Sequence, residues 1–488
     1  MNYKMTVYIL GQIALFMAVF MLIPFIIALV GAETATPMAF GVTIGALVVL
    51  GLTCMFCFKP QDTSFNARGG FLIVALAWIS FSLFGCLPFY ISGQIPKFVD
   101  CLFETVSGFT TTGATILSNV EALSPSLLFW RSFTHWIGGM GVLLFVIAIL
   151  PKGDPSIVHV LKAEVPGPKF GKIVSKMHFT AKILYAIYIV LTLIEVGLLA
   201  IGGMDVFDAF IHAFGTAGTG GFSNYNASVG HFDSLYIEIV ITVFMVIFSM
   251  NFNLFFMILI GHAREAFRSE ELWWMLSIFV LVTLAITTSL TLNEVYASFW
   301  QSLRYASFQT ASVMSTTGYM TADFASWPMF AQIILLLLMF VGGSAGSTAG
   351  GLKVSRVMLL VKNAFRTVKK EVSPRSVVTV KADKRPVSEQ LLTGVTNYFV
   401  MYLLILGLSV LLLSAFSPKE YGFGTNFSSV VTTLNNVGPG LDMVGPTCNF
   451  AGYNAFCKIV LILDMLMGRL EIIPILMLFY PRAWRRAK

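Results

Sequence analysis

The sequence predicts an all-α polytopic membrane protein: four pseudo-fourfold repeats of helix, re-entrant short helix and helix, preceded by two N-terminal transmembrane helices. Three observations predict it. The 488 residues are 57% hydrophobic, with 44 phenylalanines. Only 11% are charged, whereas a soluble globular chain carries roughly 25%. Ten apolar runs recur along the chain, and four of the intervals between them hold a similar segment of small residues ending in glycine. So few charges cannot cover a surface of this size in water, so much of that surface must face hydrocarbon.

The first run, Val7–Val30, is too long for a signal-peptide core and lacks a convincing cleavage site, so it reads as a retained span. With the run at 37–57 it makes an N-terminal two-span domain, residues 1–68. The remaining runs pair off around the small-residue segments. Those at 69–92 and 126–150 give repeat 1 (69–179), and those at 180–201 and 233–261 give repeat 2 (180–269). The runs at 271–291 and 328–342 give repeat 3 (270–393), and those at 394–415 and 456–480 give repeat 4 (394–488). Every run except 328–342 is long enough to cross the hydrocarbon, and that one has a glycine-rich continuation.

Charge orients the spans. Of the 31 lysines and arginines, 24 fall in alternate segments: Lys4, Lys59 with Arg68, Lys152 to Lys176, Arg264 with Arg268, Lys353 to Arg385, and Arg482 to Lys488. The segments between them hold acids such as Glu33, Asp100, Glu104, Asp205, Asp323 and Asp442. Short basic loops stay cytoplasmic, so both termini are expected in the cytosol. The net charge of +7 then reports topology and does not imply nucleic acid. Six cysteines, unevenly spread, give no disulfide framework. Six scattered histidines supply no acid–base–nucleophile set, and "GGSAGSTAGGLK" lacks the context of a nucleotide-binding loop. No enzyme activity and no organic cofactor are expected.

The outer segments carry the chemistry. Aligned backwards from a glycine, "FETVSGFTTTG" ends at Gly113, "FIHAFGTAGTG" at Gly220, "FQTASVMSTTG" at Gly318 and "SSVVTTLNNVG" at Gly438. Three begin with phenylalanine, and Thr112, Thr219, Thr317 and Val437 precede the glycine. Each unit reads as a short helix entering from outside, then a glycine-centred stretch. Backbone that leaves helical geometry at membrane depth must be buried in protein or line a watery cavity. Four copies around one axis meet that demand together, with carbonyls converging as a dehydrated cation requires. Glycine permits the inward turn because it carries no Cβ. Thr111, Thr112, Gly113, Thr219, Gly220, Thr317, Gly318, Val437 and Gly438 are the expected filter, with no fixed charge to trap the ion. An alternating-access carrier built on broken helices is the rival, but carrier repeats usually come in pairs.

Two further features lie on the cytoplasmic side. "VGGSAGSTAGGLKVSR" (Val341–Arg356) is too rich in glycine for a continuous helix, each costing about 1 kcal/mol against alanine. It reads as a break hinged at Gly346 and Gly350, a gate beneath the filter, or alternatively as a close helix–helix contact. Arg469, deep in an apolar run, must face protein or water. It either obstructs passing cations or pairs with Asp464 or Glu471.

The four glycine segments, "FTTTGAT" (Phe109–Thr115), "TAGTGGFS" (Thr216–Ser223) and "LMGRLEI" (Leu466–Ile472) resemble the Trk/Ktr/HKT superfamily of potassium-translocating subunits. Within it the chain is most similar to the bacterial TrkH/TrkG type, which has two extra N-terminal spans, here Val7–Val30 and Ala39–Phe56. The resemblance implies one filter glycine per repeat, K+ as the transported ion and an intramembrane loop and pore-facing arginine as gate. Glycine in all four repeats implies potassium preference, since sodium-preferring plant members tend to have serine in the first. The absence of "TVGYG" and the unlike residues after each glycine leave moderate selectivity and sodium passage open, and proton- or sodium-coupled symport is the alternative to a channel. The resemblance also implies a homodimer and a peripheral TrkA-type nucleotide-binding subunit. The basic cytoplasmic loops themselves suit an acidic partner or anionic membrane lipids equally.

Overall fold

The protein is described here as a computed structural model covering residues 3–60, 67–139, 177–376 and 378–484. The basic stretch 151–176, the second half of the expected span 126–150, and Arg485, Arg486 and Lys488 lie outside these residues.

Helices Tyr3–Val30 and Thr36–Cys57 form an antiparallel hairpin. They cross where two glycines face each other: a Cβ on Gly11 would stand 2.9 Å from Gly51 O, and one on Gly51 the same distance from Gly11 O. Small residues at such a crossing let backbones approach closely in lipid, where no hydrophobic drive brings helices together. Along these and the later long helices Ile26, Leu281, Leu404 and Leu411 lie exposed, as expected of side chains that meet acyl chains.

Four units follow. Each has a leading helix, a short helix, a non-helical segment and a trailing helix. The leading helices are Ala67–Gly85 with its continuation Leu87–Ile91, then Met177–Ile201, Glu270–Leu292 and Glu389–Phe416. The short helices are Phe98–Phe109, Val206–Gly218, Phe299–Met314 and Phe423–Leu434. The longest has 16 residues, about 24 Å at the α-helical rise, less than the ~30 Å of hydrocarbon. Their starts are fixed locally. Asp205 accepts from Phe207 N (3.1 Å) and Ser298 from Gln301 N (3.2 Å). Asp100 sits in the first turn of the first short helix, where a negative charge suits the helix dipole, and binds Lys458 at 2.6 Å.

The trailing helix of the first unit is described over Pro125–Gly139, and those of the other three differ from the expectation of plain spans. Among the described residues, six helices are long and apolar enough to cross a membrane unbroken. The run 233–261 is instead Leu235–Ser249 and Phe252–Leu259, bent by 89°. Asn251 caps the second piece by accepting from Asn253 N (2.9 Å), and the freed groups go to the glycine-rich loop: Ser344 N donates to Ser249 O (2.9 Å) and Phe252 N to Gly346 O (3.1 Å). The run 328–342 yields only Met329–Val341, 13 residues, before that loop; helix Val354–Val372 resumes beyond it. The last run, 456–480, breaks between Ala455–Arg469 and Ile473–Leu478. There Glu471 and Ile472 take positive φ (60° and 66°), a conformation a β-branched residue avoids unless its surroundings force it. On the expected cytoplasmic side, Lys381–Ala382 and Arg385–Pro386 form a minimal antiparallel pair.

Substituting Gly51→Leu should lower the thermal unfolding midpoint in detergent by several degrees, because the hairpin must open to admit it, at about 1–3 kcal/mol. The same change at Gly45, whose Cβ would meet nothing within 4 Å, should leave the midpoint within about a degree.

Candidate ion filter and gate

All four short helices end the same way. The residue leaving each helix is left-handed: Thr111 (φ 54°), Thr219 (55°), Thr316 (58°) and Asn436 (55°). The next amide reaches back five residues to close the helix: Thr112 N to Ser107 O, Gly220 N to Gly215 O, Thr317 N to Ser312 O and Val437 N to Thr432 O, at 2.8–2.9 Å. Such a closure satisfies orphan carbonyls and normally employs glycine at the left-handed position. Three β-branched threonines there are strained, which requires a surrounding that over-determines them. A glycine with positive φ follows in every unit: Gly113 (79°), Gly221 (74°), Gly318 (80°) and Gly438 (110°).

This corrects the register of the second repeat. Gly220 holds the place of Thr112, Thr317 and Val437, and Gly221 is the counterpart of Gly113, Gly318 and Gly438; Thr219 matches Thr111. "TGG" offers two glycines, and the choice between them is made by which amide closes the helix.

The four segments touch in a closed cycle that follows chain order. A Cβ on Gly113 would run into Gly220 O, one on Gly221 into Thr317 O, one on Gly318 into Val437 O, and one on Gly438 would lie 2.8 Å from Thr112 O. Each unit's glycine is therefore packed on the backbone of the next, and the fourth on the first. Thr111, Thr112, Thr219, Thr317 and Val437 are fully buried. Side chains stitch the same neighbours. Asn436 Nδ2 donates to Thr112 Oγ1 (2.9 Å), and Tyr319 OH to His212 O (2.9 Å). Thr112 and Thr110 share a hydroxyl bond (2.8 Å), as do Thr317 and Ser315 (2.7 Å), while Thr219 donates to Gly218 O (2.6 Å). The polar atoms gathered here are backbone and hydroxyl oxygens, ligands that suit a hard monovalent cation.

The glycine-rich loop lies directly against this cluster. Gly350 N donates to Thr316 Oγ1 (2.6 Å), and Gly351 N to Asn435 O (3.0 Å). Gly346 O accepts from Phe252 N, and Thr348 Oγ1 donates to Phe248 O (3.1 Å). Arg469 clasps the loop from the other side: Nη1 donates to Thr348 O (2.7 Å), and Nη2 to Gly138 O (2.6 Å) and Gly139 O (3.2 Å). The acids weighed as its partners are engaged elsewhere. Glu471 binds Arg356 (2.6 Å), and Asp464 accepts from Ser409 (2.7 Å).

The family model TrkH, "Cation transport protein", matches residues 38–486. The chain belongs to the TrkH family. It is 37% identical to the Trk system potassium uptake protein TrkH of Escherichia coli K12, over 99% of this chain and all of that one. With TrkG of the same organism it shares 31% identity over 95% of each. The crystal structure of the potassium transporter TrkH from Vibrio parahaemolyticus superposes with a TM-score of 0.90 at 35% identity, covering 99% of this chain and all of that one.

Several residues of this TrkH-family chain escape sequence reading. His135 packs its ring where a Cβ on Gly220 would be, with Nδ1 2.8 Å from Gly108 O. Glu104, grouped by sequence with the outer acids, is buried against Arg131 at 2.6 Å. Arg131 and Glu104 are 27 positions apart, and only a charge in an apolar run hints at the pair. Arg356 looks like a cytoplasmic anchor in sequence but is also buried, with Tyr398 4.2 Å from its guanidinium. Removing one partner of such a pair strands a charge. Glu471→Ala should therefore cost about 3 kcal/mol in thermal unfolding experiments, and the paired change Arg356→Met with Glu471→Leu should restore most of it.

Proposed function

We propose that this chain is the potassium-translocating membrane subunit of a bacterial uptake system, passing K+ inward through the four glycine segments. The observation that carries this reading is the closed cycle of backbone contacts from Gly113 through Gly221, Gly318 and Gly438. Family membership and the potassium uptake for which the relatives are named support the ion's identity. In this mechanism K+ sheds water as oxygens of the segments replace its shell, using dipoles strong enough to admit the ion and weak enough to release it. The filter comprises Thr111, Thr112, Gly113, Thr219, Gly220, Gly221, Thr317, Gly318, Val437 and Gly438.

Below it, the loop around Gly346 and Gly350 obstructs the path and Arg469 sets a positive barrier. The hydrogen bonds from Arg469 to Thr348 O and from Gly350 N to Thr316 Oγ1 support this part, because they tie the loop to the filter. Opening then requires these contacts to break together. The same reading places both termini in the cytosol of the inner membrane and divides the chain into residues 1–68 and four repeats, 69–179, 180–269, 270–393 and 394–488. It includes a homodimer, lipid contact and a TrkA-type nucleotide-binding subunit on the basic cytoplasmic face.

Two measurements test it, using the purified chain in liposomes. Gly318→Ser places a side chain against Val437 O at positive φ, so it should lower the K+/Na+ flux ratio about tenfold; an unchanged ratio refutes the filter. Arg469→Gln, or deletion of Gly346–Gly350, should raise basal K+ flux several-fold. Wild-type flux from both folded variants would remove the gate from the mechanism.

A further inference from the structure

Each short helix carries a buried polar side chain nine residues before the positive-φ glycine: Glu104, His212, Gln309 and Ser429. One position thus holds four chemistries, and they meet the filter's outer end differently. The Glu104 carboxylate accepts from the Thr115 hydroxyl (2.9 Å) and Ile116 N (3.0 Å). His212 Nδ1 is 2.8 Å from Asp208 O, a carbonyl that only accepts, so Nδ1 carries the proton. Nε2 then accepts from the Ser223 hydroxyl at 3.0 Å. Thr115 and Ser223 occupy equivalent places, each two residues beyond the glycine.

The other two repeats hold the equivalent stretch with neutral groups from neighbouring positions: Ser312 donates to Tyr319 O (2.6 Å), and Ser428 accepts from Leu441 N (2.9 Å). Gln309 Nε2 donates to Ala322 O (3.3 Å), four residues past Gly318, and its Oε1 is buried without a hydrogen-bond partner. Ser429 donates to Thr425 O (2.7 Å) and shares a bond with the Tyr453 hydroxyl (2.9 Å).

Arg131 joins the first two braces into one. Its Nε donates to Glu104 (2.6 Å), its Nη1 donates to Ser223 O (2.9 Å), and its guanidinium carbon lies 3.4 Å from the centre of the Phe222 ring. The two charged side chains are 3% and 0% exposed. A planar fork can serve a carboxylate and a carbonyl at fixed angles at once; an ammonium cannot. In a site shielded from water such bonds are stiff. Glu104 also neutralises a cation that would otherwise repel K+.

We propose that Glu104, Arg131 and His212 are positioning residues. They hold the outer end of the filter open in repeats 1 and 2 through a charge-assisted network and so set its discrimination against the smaller Na+, while repeats 3 and 4 are held by neutral hydrogen bonds alone. The inference rests on the filter reading above. A ring that cannot close around a smaller ion leaves that ion poorly solvated, so its rejection depends on the stiffness of the oxygens' supports.

The test uses the full chain in liposomes with K+ and Na+ flux measured in parallel. Arg131→Lys keeps the charge beside Glu104 and loses the bridge to Ser223. It should lower the K+/Na+ ratio about tenfold while maximal K+ flux stays within about threefold. Thr115→Val is nearly isosteric and removes only the hydroxyl held by Glu104; it should lower the ratio about threefold and decides the matter should Arg131→Lys not fold. Ser429→Ala should leave the ratio within about twofold of wild type. An unchanged ratio in folded Thr115→Val overturns the proposal, as does a loss in Ser429→Ala as large as in Thr115→Val. When Gly318→Ser shifts selectivity and Thr115→Val does not, only the brace is wrong; when neither shifts it, the filter reading falls and takes the brace with it.

Discussion

Peptide groups that leave helical geometry inside hydrocarbon have nowhere to turn but to other protein. Four short helices stop inside the protein, each followed by non-helical backbone, and that obligation organises everything around them. The left-handed threonines and the asparagine at the helix ends, the glycines that admit a neighbour's carbonyl, and the closed order of contacts from first segment to fourth are one solution to it. No segment could be stable alone. Each glycine's missing side chain is the space occupied by the next segment's backbone.

The same obligation explains the breaks below the cluster. The bend at Met250–Asn251 and the loop after Val341 each release backbone groups, and they satisfy one another through Ser249, Ser344, Phe252 and Gly346. The loop also bonds Thr316 and Asn435, which ties it to the residues on which the helix ends close. Arg469 belongs to this arrangement as a donor to three carbonyls. A guanidinium at that depth is tolerated because its hydrogen bonds replace those that water would make.

Largely buried ions are paired elsewhere too, Arg131 with Glu104 within the first unit and Lys458 with Asp100, Arg304 with Glu238 and Arg356 with Glu471 across units. Such pairs contribute little net stability over apolar packing but penalise any arrangement that separates them. In a scaffold with four similar units, that penalty specifies which unit stands beside which. The asymmetry is strongest around repeats 1 and 2, where Glu104, Arg131 and His212 converge on Thr115 and Ser223.

Composition and periodic apolar runs alone determined the membrane class, the unbroken long helices and the existence of four short helices ending near glycine, because burial in lipid selects residue type directly. Tertiary structure alone decided the rest. The runs 233–261 and 456–480 are as apolar as true spans, and their breaks at Asn251 and Glu471 depend on what receives the freed backbone groups. Gly220 and Gly221 are chemically identical, so the register of the second segment depends on a hydrogen bond to Gly215. Glu104 and Arg131 read singly as an outer acid and a stray charge; their pairing requires that two helices be packed. Sequence records the character of each residue, whereas register, breaks and partners are settled by distances between residues far apart in the chain.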